Sequence, residues 1–88
     1  MEDIILANQQ LNEWCGTEGI NYYEGDTALG FLFKSAVPRL WVCEITLEEG
    51  LFWNVFVAYP TENGSAIGKA LDEDPALALF WALYEVMK

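Results

Sequence analysis

The sequence predicts an α+β fold, a small antiparallel sheet sandwiched by helices, in a single acidic domain over residues 1–88. Three observations carry this. Residues 40–47 (LWVCEITL) and 51–59 (LFWNVFVAY) are β-branched and aromatic and flank Glu48-Glu49-Gly50, the pattern of a hairpin. Residues 76–87 are apolar nearly all round and follow Asp74-Pro75, an N-cap and a first-turn proline that announce a helix. Neither strand has a wholly polar face, and a sheet apolar on both sides needs cover on both.

The elements follow in order. Residues 4–15 read as a helix, with Ile4, Leu11 and Trp14 at helical spacing and Gly16 as terminator. A loop with Tyr22-Tyr23 leads to Asp26, expected to cap a short helix over 27–36 that Pro38 ends. In the hairpin, Trp41, Cys43, Ile45 and Leu47 share a face, as do Leu51, Trp53, Val55, Val57 and Tyr59. The connection suits a type I turn closed by a left-handed Gly50. Residues 60–64 (PTENG) read as a turn and 65–71 as a short third strand. The last helix spans 76–87, with Leu79 and Leu83 expected in the core.

Composition excludes several functions. Thirteen aromatics (five Phe, four Trp, four Tyr) in a chain that is 53% hydrophobic rule out disorder. A chain of this size buries only roughly 60–65% of its unfolded surface, so the apolar excess fills a dense core or lies on a partner surface. Fourteen acids against four bases give a net charge of −10. Direct nucleic-acid binding needs a basic surface, as does an anionic membrane. The chain has no His, which removes His-based acid–base catalysis and His metal ligands. Cys15 and Cys43 form no CxxC pair and read as reduced core thiols; Cys15 with neighbouring hydroxyls lacks a base. The glycines show neither phosphate-loop nor dinucleotide spacing, and no cofactor, metal or catalytic residue is expected. The acidic start Met1-Glu2-Asp3 is unlike a signal peptide, and the longest apolar run, 76–84, is too short to span a membrane. A cytoplasmic protein is expected.

The C-terminal half carries a resemblance. Trp-containing paired strands lead into Gly68-Lys69-Ala70-Leu71-Asp72-Glu73-Asp74-Pro75-Ala76-Leu77-Ala78-Leu79, which resembles the tail of the phage ABA sandwich domain family. There a small-residue strand precedes an acidic residue, a proline and an Ala/Leu-rich helix. The loop Ile20-Asn21-Tyr22-Tyr23 and the helix after Asp26 are similar too. Leu71 stands where a small residue is usual, and the acidic run after it is longer. The resemblance implies an α/β/α sandwich and a bacteriophage or prophage origin. Its motif is structural, and no catalytic residues carry over.

The candidate partner-binding residues are Glu44, Glu48, Glu49, Asp72 and Glu73. One acid, Asp74, suffices to cap the last helix, so Asp72 and Glu73 exceed what capping needs. Glu48 and Glu49 also serve a solvated turn that discourages edge aggregation. A calcium loop lacks its spaced ligands and central glycine. These acids point to a non-enzymatic protein that binds a basic, nucleic-acid-binding protein. Its concrete form is a DNA-mimic inhibitor of a host defence machine, of the anti-CRISPR or anti-restriction kind. A compact chain about 30 Å across matches duplex DNA carrying on the order of 18 phosphates. The alternative is a homo-oligomeric phage accessory protein that uses the apolar last helix or a sheet edge as its interface.

Overall fold

Asp3 opens the first helix. Its carboxylate accepts hydrogen bonds from the N–H groups of Ile5 (2.9 Å) and Leu6 (3.4 Å), two of the donors that a helix N-terminus leaves unpaired. The structure, a computed structural model, describes residues 3–87. Met1 and Glu2 of the acidic start, and Lys88, lie outside the described residues. Helix α1 is Ile4–Cys15 and ends at Gly16, whose φ of 72° is left-handed.

The loop after α1 is tied to that helix by two asparagines one turn apart. Asn8 and Asn12 donate to the Ile20 carbonyl (2.9 and 2.8 Å) and accept from the N–H groups of Tyr22 and Ile20. Their amides do for the loop what a neighbouring strand would do. Thr17 completes the cluster, bonded to Asn12 Oδ1 and to the Tyr22 hydroxyl, each at 2.8 Å. Tyr22 is fully buried.

Helix α2 is Ala28–Ser35, followed by a 3-10 turn at Val37–Arg39. Asp26 does not cap α2. The N-cap is Thr27, which makes no side-chain cap bond, and the Ala28 N–H goes to the Gly25 carbonyl instead. A backbone turn takes the donor that the carboxylate was expected to satisfy.

Three strands follow: β1 (Val42–Glu48), β2 (Phe52–Thr61) and β3 (Gly64–Asp72), antiparallel in the order β1-β2-β3. The first turn differs from expectation. Glu49 (φ 53°) and Gly50 (φ 68°) both have positive φ, and the Leu51 N–H bonds the Glu48 carbonyl. Those φ values and that bond fit a type I′ turn, with Leu51 left as an extra residue before Phe52 pairs with Glu48. The second turn is tighter than residues 60–64, because β2 continues through Pro60 to Thr61 and pairs with β3 as far as Gly64. Pro60 is tolerated there because β1 pairs no further than Ala58, so no third strand needs its missing N–H.

Helix α3 is Pro75–Met87, capped by Asp74, whose carboxylate accepts from the Ala76 N–H at 2.9 Å. It lies across β2 and β3, with α1 and α2 packed against it. Leu79, Phe80 and Leu83 are fully buried with Leu11, Leu32, Val55 and Val57. The helix approaches so closely because Gly68 gives it room: a Cβ there would collide with the Ala82 carbonyl.

The α+β class and the antiparallel sheet are as expected. The helical cover, however, lies on one face of the sheet. Cys43, Ile45, Trp53, Val55, Val57, Tyr59, Ala66 and Ala70 face the helices and join the core. On the other face Val42, Phe52, Ile67 and Leu71 stay exposed. Polar residues interleaved with them (Glu44, Thr46, Asn54, Lys69) let that face meet water.

Candidate partner-binding surface

Antiparallel pairing brings four of the five candidate acids to one end of the sheet. Glu48 ends β1, Phe52 opposite it begins β2, and Asp72 ends β3 opposite Trp53. The Glu49–Gly50 turn and the Asp72-Glu73-Asp74 segment therefore share an end. Strand spacing sets β1 and β3 about 10 Å apart. Glu48, Glu49 and Glu73 are exposed, and Asp72 is half-buried. Glu44 stands apart. It is on the same open face as Glu48 but four residues back along β1, about 13 Å away.

Two of these carboxylates have local work. Glu48 accepts from the Asn54 side-chain amide at 2.9 Å. Asp72 accepts from the Asp74 N–H at 2.8 Å and so shapes the approach to α3. Asp72 is thus part of the turn as well as part of the charge. Glu44, Glu49 and Glu73 take no side-chain bond or ion pair among the described residues.

The open face forms a grid in register. Across the three strands run the rows Val42–Ala58–Ile67, Glu44–Phe56–Lys69 and Thr46–Asn54–Leu71. Lys69 reaches inward along the face, its ammonium 5.7 Å from the Phe56 ring centroid, a cation–π contact. Phe56 and Lys69 were missed from sequence as surface residues. The signal was present: Glu44 and Lys69 occupy the alternate positions that face away from Cys43 and Gly68.

Elsewhere the chemistry is sparse. Trp14 is half-buried, edge-on to Tyr59 (5.2 Å between centroids) and beneath the Arg39 guanidinium (4.6 Å). It walls an open concavity with Gln10, Glu13, Tyr84 and Met87. Cys15 and Cys43 are free thiols, both half-buried. Burial pushes both pKa values up; at Cys15 the Tyr22 hydrogen bond and nearby Arg39 act weakly the other way. Raised pKa values leave little thiolate for nucleophilic chemistry. Among the described residues no cluster of His, Cys, Asp and Glu could hold a metal ion. Nor is any helix there long and apolar enough to cross a membrane. No protein-family model, curated protein or solved structure matches this chain.

Proposed function

We propose that this chain is a non-enzymatic interaction protein that binds a basic protein through the acidic end of its sheet. The supporting observation is the register that gathers Glu48, Glu49, Asp72 and Glu73 around Phe52 and Trp53. A one-signed patch speeds encounter with a complementary surface, and salt weakens it. Its concrete form is an inhibitor, phage- or prophage-encoded, that competes with nucleic acid for the basic groove of a host defence protein. The principal extents of 36 × 30 × 27 Å suit such a groove; duplex DNA as long as the largest carries about 21 phosphates. The acids fill only part of that footprint, so apolar contacts at Phe52 and the neighbouring Leu51, both exposed, supply the rest.

The test is affinity capture from bacterial lysate with the immobilised chain, eluted by rising salt or by duplex DNA. The reading expects a nucleic-acid-binding protein released by both. It also expects no such capture by a folded variant carrying Glu48→Lys, Glu49→Lys and Glu73→Lys. Equal capture by that variant would overturn it. The alternative, a homo-oligomer through the last helix or a sheet edge, draws less support at α3, where eight residues are buried within the chain.

A further inference from the structure

We propose that the open sheet face binds a second copy of this chain, face to face, about a two-fold axis parallel to β2. The face is unpartnered within the chain, with Val42, Phe52, Ile67 and Leu71 exposed. What selects the occupant is the row Glu44–Phe56–Lys69, an acid and a base on opposite outer strands flanking a central aromatic. Rotation about an axis along β2 exchanges the outer strands, so β1 of one copy lies over β3 of the other. Glu44 then faces Lys69 of the partner subunit, twice. Lys69 leaves the Phe56 ring of its own chain to do so, and Phe56 then meets Phe56 of the partner subunit on the axis, where aromatic pairs add to area burial. Val42 comes over Ile67 of the partner subunit, apolar on apolar. A two-fold axis across the strands would instead set Glu44 on Glu44 of the partner subunit, so the Glu44–Phe56–Lys69 row favours the axis along β2. Sheets packed this way stand about 10 Å apart, a distance that these side chains span.

At the acidic end the same rotation brings Glu48 toward Glu73 of the partner subunit. Both lie at the solvated rim, where salt screens them. The footprint, three strands wide and about eight residues long, is about 400 Å². That is small for a specific interface, and the dimer is accordingly concentration-dependent. This inference does not rest on the basic-partner reading, but the dimer would cover Phe52, so the two occupants compete for the Glu48–Phe52 row.

Sedimentation equilibrium over a concentration series tests it. The expected result is a reversible dimer, lost with Phe56→Ser and unchanged by Phe33→Ser, a control at an exposed apolar residue on α2. Glu44→Lys alone and Lys69→Glu alone should each weaken self-association about tenfold or more. An equimolar mixture of these two single variants should associate again, because each then offers the charge that the other needs. Circular dichroism confirms that every variant is folded. A monomer at all concentrations, self-association indifferent to Phe56→Ser, or a mixture no tighter than its components would overturn the proposal.

Discussion

At Gly68 the sheet and α3 nearly touch. Replacing it with Ala puts a methyl against the Ala82 carbonyl, and backbone cannot step aside as a side chain can. Gly68→Ala should cost about 1–3 kcal/mol, the range for overpacking. Gly30, inside α2, has open space around it. There Ala should stabilise by about 0.5–1 kcal/mol through helix propensity. Thermal unfolding of the two variants should therefore shift in opposite directions. Asn12 is the other residue whose loss should be felt. It is buried and serves Ile20 and Thr17 together. Asn12→Leu leaves the Ile20 N–H without that acceptor, and stranded buried donors cost about 1–3 kcal/mol each. The thiols offer a simpler check. Cys15 and Cys43 should alkylate slowly in the folded protein and fast in denaturant, because burial raises both pKa values.

Among the elements, α3 carries the core. Leu83 is fully buried, so Leu83→Ala should cost about 2–5 kcal/mol by chemical denaturation. A loss below about 1 kcal/mol would mark the site as surface-like. The β1–β2 turn predicts a second outcome: Gly50→Val should destabilise, since a β-branched residue is strained at φ 68°. Both elements were legible in the sequence because strong local signals agreed there. Asp74-Pro75 preceded a long apolar run, and Gly50 sat between two β-rich segments. Asp26 misled because an acid before a helix is only one way to satisfy the first turn, and here the Gly25 carbonyl does it. Tyr22 looked like a loop aromatic, yet its burial depends on Asn8, Asn12 and Thr17, partners 5 to 14 residues away that no periodicity reveals. The one-sided cover was hidden for a similar reason. Strand alternation told which residues share a face, but not which face the helices would choose. Gly68 alone marked the inner face, and only once its neighbour in α3 was known. The acidic end was legible as two clusters; their meeting required the register.

For the molecule as a whole, charge is the governing quantity. A net −10 on 88 residues repels itself in the compact state. Added neutral salt should therefore raise the melting temperature, and the Glu48→Lys/Glu49→Lys/Glu73→Lys variant should show a smaller rise because less charge is left to screen. Asp72 and Asp74 are spared in that variant, since both hold backbone donors around the start of α3. The remaining acids, such as Glu13, Glu18, Glu24 and Glu62, lie on other elements and loops. Among the described residues, the register brings Glu48, Glu49, Asp72 and Glu73 to one sheet end beside exposed Leu51 and Phe52. The central claim is that this end is the binding surface. The most direct measurement is calorimetric titration of a partner recovered from lysate, with wild type and the triple variant, at two salt concentrations. The predicted result is wild-type binding that weakens as salt rises, and no binding by the variant although its circular dichroism is unchanged. Undiminished binding by the folded variant would contradict the claim.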